Sequence, residues 1–153
     1  GYGKVCLSIL GTWNGPQWTT IMDISTVLLS IQSLLDNDPL LNEPGFHKKN
    51  KHQIDIINNY NDVIFFENIN SLLIKNYLNI PENFIKFKDI IVINFKENYL
   101  NIYNNILKYD KIIKGKISIP IYNIRYIINY KELLNNYIEF CNKLNLKIEI
   151  INL

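Results

Sequence analysis

The sequence predicts an α+β chain in which helices dominate. Two observations carry that expectation. Four stretches place apolar residues at helical spacing. One stretch, punctuated by Gly115 and Pro120, instead places Ile117 and Ile119 two apart, as a strand would. With 153 residues and 48% hydrophobic residues, the chain also has the length and composition for a sizeable core.

The first helix is expected over Ile24 to Leu35, where Val27, Leu28, Ile31, Leu34 and Leu35 recur at helical spacing. Asp23 or Ser25 suits its start, because a short oxygen-bearing side chain can accept the first unpaired N–H groups. Pro39 closes off any continuation. The stripe of Val27, Leu28, Ile31 and Leu34 is expected in the core. Asn42-Glu43-Pro44-Gly45-Phe46 follows as a turn-rich loop. A second helix is expected from about Asn58 to Tyr77, with Ile69, Leu72, Leu73 and Tyr77 on one side. A third runs from about 90 to 109, where Phe95, Tyr99, Ile102 and Ile106 follow i, i+4, i+7, i+11. A last helix is expected from about Tyr130 to Leu144. Its apolar face is Leu133, Leu134, Tyr137, Ile138 and Cys141, which makes Cys141 a small core residue.

Composition excludes several classes. There are 29 Ile, 24 Asn and 15 Lys, one Arg and no Ala. Ile, Asn and Lys have AT-rich codons, so this skew reports genomic base composition and says nothing of partners. It is heaviest after residue 46 and absent around Cys6. Net charge is +2 and the pI about 8.4, without the basic stripe of a nucleic-acid binder, so no nucleic-acid partner is expected. The basic cluster His47-Lys48-Lys49-Asn50-Lys51-His52 is expected as a solvated loop. No run of about 18 apolar residues suggests a membrane span. Two cysteines are too few for a disulfide framework, so a reducing setting, cytoplasmic or nuclear, is expected.

Generic chemical signatures fail. No phosphate-binding glycine loop, dinucleotide fingerprint or serine nucleophile elbow occurs. His47 and His52 lack the Cys or carboxylate set of a zinc site, so neither metal nor cofactor is expected. Cys6 remains. A Cys in an apolar run is ordinarily buried and inert, but small and polar neighbours and an immediate Gly/Trp-rich loop favour a reachable thiol. No His base dedicated to it is visible.

At this point the residues make a resemblance. Gly3-Lys4-Val5-Cys6-Leu7-Ser8-Ile9-Leu10-Gly11-Thr12-Trp13-Asn14-Gly15-Pro16-Gln17-Trp18 resembles the active-site segment of ubiquitin-conjugating enzymes. Ile24 to Leu35 looks like the helix that follows their catalytic cysteine. Asn42-Glu43-Pro44-Gly45-Phe46 resembles the loop after that helix in larger members. The Gly11-to-Gly15 insertion is similar to that of the larger Z-type class. Tyr60-Asn61-Asp62 more weakly resembles the family's Tyr-Asn-Glu helix start, and Phe95 to Asp110 its next helix. The strong resemblance covers residues 3–46, the weak one extends to about 110.

The resemblance implies that Cys6 accepts ubiquitin or a ubiquitin-like protein as a thioester from the ATP-dependent activating enzyme. A substrate lysine then takes it, usually with a ligase. It implies a gate for the lysine amine at Glu43 with Asn42; the alternative for Glu43 is an exposed loop carboxylate. It implies a ligase-contacting loop at Trp18-Thr19-Thr20, whereas an indole in that place can equally pack as core. Trp13 has no assigned role. The helix face of Ser30, Gln32 and Ser33 is where the family's carried ubiquitin can lie.

The implied fold is the C-terminal, mainly helical part of the family's α+β fold. The N-terminal helix, the antiparallel sheet and the His-Pro-Asn motif that supplies an oxyanion donor would precede Cys6. The chain is therefore expected to be N-terminally truncated just before the catalytic cysteine. Loss of one such donor typically costs about 10²–10³ in rate. Residues 1–110 are expected as a partial conjugating core, and 111–153 as a C-terminal extension. The alternatives are a non-catalytic module that binds ubiquitin or a partner, and an inactive fragment.

Overall fold

The computed structural model describes residues 5–77, 79–109 and 115–148. Gly3-Lys4 at the head of the quoted block, Asp110 and the side chain of Leu72 lie outside the described residues. The described chain is mostly helical with one two-stranded sheet, an α+β composition. It divides into two compact units, Gly1–Ile57 and Asn58–Leu153.

In the first unit, extended backbone at Leu7 leads into a 3-10 turn, Ser8–Leu10, which ends at Gly11 in the left-handed conformation. Helix α1 spans Ile24–Ser33. Of the two expected start residues, Asp23 is the cap: its Oδ1 accepts from the Thr26 amide at 3.0 Å, and Thr26 Oγ1 accepts from the Asp23 amide at 3.4 Å. A second 3-10 turn, Pro39–Asn42, buries Leu40 completely.

The expected core stripe of α1 is corrected. No residue of α1 is buried: Val27, Ile31 and Leu34 are half-buried, and Leu28 is 59% exposed. Periodicity tells which residues share a face, not whether anything covers it. Among the described residues of this unit, the buried apolar ones are Leu7, Leu40 and Ile57, too few to cover a helix.

Helix α2 spans Lys51–Glu67, and its first turn is led in by Asn50, whose Oδ1 accepts from the His52 amide at 3.1 Å. The expected start at Asn58 is therefore seven residues late. Tyr60-Asn61-Asp62, expected as a helix start, lies inside α2. Lys51 to Asp55 hold a single apolar residue, Ile54, and so no apolar period, and the pattern begins later than the helix. After Glu67 the helix continues as a wider π-helix, Asn68–Lys75.

The second unit carries the dense core. A 3-10 segment, Glu82–Phe87, packs on α3, Lys88–Leu107, and α4, Tyr130–Lys143, packs on both α3 and the π-helix. Rings of Tyr77, Phe95, Tyr137 and Phe140 meet with centroids 5.0–6.5 Å apart. A second group joins Phe65, Phe66, Tyr109, Tyr126 and Tyr130. Two of the buried tyrosines bond through their hydroxyls. Tyr137 donates to the Tyr99 carbonyl at 2.8 Å, and Tyr130 to the buried Asp62 at 3.3 Å. Burial first, then the neighbouring Asp62 carboxylate, pushes the Tyr130 phenol above its usual range. Asn129 caps α4 by accepting from the Glu132 amide at 3.1 Å.

The stretch punctuated by Gly115 and Pro120 is a hairpin. β1, Lys116–Ile119, pairs antiparallel with β2, Ile124–Ile127, in the register Lys116↔Ile127 to Ile119↔Ile124. Ile117 and Ile119 point inward, as their spacing predicts. The turn between the strands closes on Asn123 at φ 51°, one of the few non-glycine residue types that tolerates this region.

Candidate active site

A nucleophile must be reachable, and Cys6 is exposed while Cys141 is fully buried. Burial pushes the Cys141 thiol up, away from the reactive thiolate, so α4 holds it as a core residue. A groove of about 610 Å³ in the second unit is lined by Leu73, Tyr77, Ile80, Phe84, Phe87 and Ile91, without a thiol or carboxylate. The candidate chemistry therefore rests at Cys6.

Leu7, directly after Cys6, turns inward and is 7% exposed, so the backbone is anchored beside the exposed thiol. The loop behind it folds back on this anchor. The Leu7 amide donates to Thr12 Oγ1 at 2.8 Å, and the Leu7 carbonyl accepts from the amides of Leu10 and Thr12, both at 3.1 Å. Gly15, at φ 141°, lies against Ser8. A Cβ there would lie 3.0 Å from Ser8 Cβ, tighter than most carbon contacts. Glycine is thus favoured by the backbone angle and, secondarily, by space.

The expected interface residues are all on the surface. Trp18 is 47% exposed, with Thr19 and Thr20 also exposed, so the reading of Trp18 as core is set aside. Trp13 is 43% exposed. Thr19 begins a turn in which its carbonyl accepts from the Met22 amide at 3.0 Å.

The Asn42–Phe46 loop is well held. Asn42 is exposed, and its side-chain amide donates to the Leu34 carbonyl at 3.4 Å, satisfying one acceptor left over at the end of α1. Glu43 is half-buried, not an exposed loop carboxylate. Gly45 takes φ 85°. Gln53 of α2 clasps the loop from both sides: its Nε2 donates to the Gly45 carbonyl at 2.8 Å, and its Oε1 accepts from the His47 amide at 3.0 Å. In the basic cluster, Lys48 pairs with Asp38 at 2.5 Å, and the remaining residues are exposed. Among the described residues no hydrogen bond joins Cys6 to Asn42 or Glu43. Thr12, Gly15 and Gln53 escaped sequence reasoning, because a side chain that grips backbone five to eight residues away leaves no periodic signal. A hydroxyl residue between Gly11 and Gly15 was the available hint.

The family model for ubiquitin-conjugating enzyme matches residues 1–64. Those residues, fewer than half of the chain, are similar to the ubiquitin-conjugating enzyme family. Ubiquitin-conjugating enzyme E2 Z of Homo sapiens is 55% identical over 67 residues, covering 44% of this chain and 18% of that protein. E2 Z of Danio rerio is 55% identical over 65 residues, covering 42% and 19%. A probable ubiquitin-conjugating enzyme protein 17 of Caenorhabditis elegans is 50% identical over 50 residues, covering 30% and 7%. The chain thus spans about a fifth of the length of the E2 Z relatives it matches. The matched segment includes Cys6, the clasped loop behind it, α1 and the Asn42–Phe46 loop.

Proposed function

We propose that Cys6 is the thioester-forming cysteine of a ubiquitin-conjugating enzyme. The single observation that carries this is an exposed thiol on an anchored backbone inside the matched residues 1–64. The Cys6 thiolate attacks the thioester carbonyl that joins the C-terminus of ubiquitin, or of a ubiquitin-like protein, to the activating enzyme. The activating enzyme's thiolate leaves, and Cys6 carries the new thioester. A lysine amine of a substrate then attacks the same carbonyl, loses a proton and expels the Cys6 thiolate, leaving an isopeptide bond.

Glu43, with Asn42, is the proposed gate for the incoming amine. A half-buried carboxylate suits this task, because it orients the amine and helps remove its proton away from bulk water. Trp18, Thr19 and Thr20 are the proposed ligase contact, an exposed indole beside a turn being a suitable anchor. The setting proposed is cytoplasmic or nuclear.

The test combines the protein carrying this chain with activating enzyme, ATP and ubiquitin. A reductant-sensitive adduct is expected on a non-reducing gel. Cys6→Ser should abolish it or replace it with a reductant-stable oxyester. The absence of an adduct with ubiquitin and with every ubiquitin-like protein tried would overturn the reading.

A further inference from the structure

We infer that Thr12 is a positioning residue for Cys6, and that its hydroxyl fixes the direction in which the thiol is presented. The inference rests on Cys6 being the acceptor. The Leu7 N–H belongs to the peptide plane that joins Cys6 to Leu7, so whatever holds that N–H holds the ψ angle of Cys6. Thr12 Oγ1 accepts it at 2.8 Å. The accessible rotamers of a side chain depend on its own φ and ψ, so fixing ψ narrows where Sγ can point.

The turn does not depend on the hydroxyl. The Leu7 carbonyl accepts from the backbone amides of Leu10 and Thr12, and Gly11 donates to the Ser8 carbonyl at 2.9 Å. These bonds use backbone groups alone, so they survive a change of Thr12 to Val or Ser. Thr12 Oγ1 also lies 3.1 Å from the Leu7 carbonyl, so the hydroxyl can donate there while it accepts from the Leu7 amide. Its acceptor role has no backbone substitute. Thr12→Val, close in shape, therefore removes the tether on the Cys6–Leu7 peptide and leaves the turn. Thr12→Ser restores the oxygen.

This matters for a large reaction partner. Attack on a thioester held by another protein needs an aligned approach, and a misplacement of about 1 Å can cost about a hundredfold. Wild type, Thr12→Val and Thr12→Ser should be compared in the protein carrying this chain, in two experiments. The first labels cysteine with ¹³C and measures the Cys6 Hα–Hβ couplings with the Leu7 amide exchange rate. Wild type and Thr12→Ser should show one dominant rotamer and a protected Leu7 amide. Thr12→Val should show averaged couplings and a released amide. The second measures charging from activating enzyme. Thr12→Val should lower the maximal rate about ten- to a hundredfold, with KM little changed, and Thr12→Ser should recover it.

Unchanged Cys6 couplings in Thr12→Val overturn the inference, as does charging at the wild-type rate or equal loss in Thr12→Ser. If wild type itself forms no adduct, the acceptor reading fails, and the coupling experiment still decides whether Thr12 positions the thiol.

Discussion

Single side chains that grip distant backbone shape the matched segment. Thr12 holds Leu7, Asn42 holds Leu34, Gln53 holds Gly45 and His47, and Asp23 holds Thr26. Asp23 offers a clean pH test. Its carboxyl lies below the ordinary aspartate range, chiefly because the Thr26 amide donates to the charged form. A depressed folded value means that the carboxylate's contribution is complete above the ordinary range, about pH 4, and is lost as pH falls through the lowered value. The Thr26 amide resonance should therefore shift on acidification, with a midpoint below about pH 4. Asp23→Asn keeps the cap, since Asn caps as well as Asp, and removes the titration. A Thr26 resonance that titrates equally in both proteins would show that the cap does not control this end of α1.

Among the elements, burial separates α1 from α3 and α4. α3 buries Phe95, Tyr103 and Ile106, and α4 buries Tyr130, Leu133, Leu134, Tyr137, Phe140 and Cys141. Ile106 is fully buried, so Ile106→Ala removes transfer free energy and leaves a cavity, a loss of about 2–5 kcal/mol. Urea unfolding followed by the near-ultraviolet tyrosine signal should show this as a lower midpoint. A shift worth under about 1 kcal/mol would mean that the site collapses around the smaller side chain.

The same contrast explains what was legible in the sequence. α3 and α4 were legible because their apolar period coincides with real burial. β1 was legible from Ile117 and Ile119, whereas β2 was not, since exposed Ile127 follows Tyr126 and breaks the alternation that Ile124, Arg125 and Tyr126 begin. The start of α2 was illegible because Lys51 to Asp55 have one apolar residue, Ile54, which is 40% exposed, while the His52 amide is bonded by Asn50. The widening after Glu67 is a backbone adjustment without a residue signature. At the candidate site, Cys6 stood out from its neighbours, and its exposure agrees with a reachable thiol. The clasp from Thr12 was invisible, because it depends on a turn geometry that only coordinates reveal.

At the scale of the molecule, the two units differ in kind. Gly1–Ile57 holds its backbone through caps and side-chain clasps, with few buried residues. Asn58–Leu153 is held by an aromatic and aliphatic core. The two cysteines fall one in each, Cys6 exposed and Cys141 fully buried. The protein therefore carries its own pair of orthogonal reporters. A chromogenic disulfide reagent should titrate one thiol of this chain at once, and the second only as fast as α4 opens. Denaturant should make both fast, and Cys6→Ser should leave the slow phase alone. If both thiols react together in the native state, α4 is not closed over Cys141. The size of the fast phase thus reports whether the Cys6 thiol is free or occupied, while the lag before Cys141 reacts measures the integrity of the other unit in the same tube.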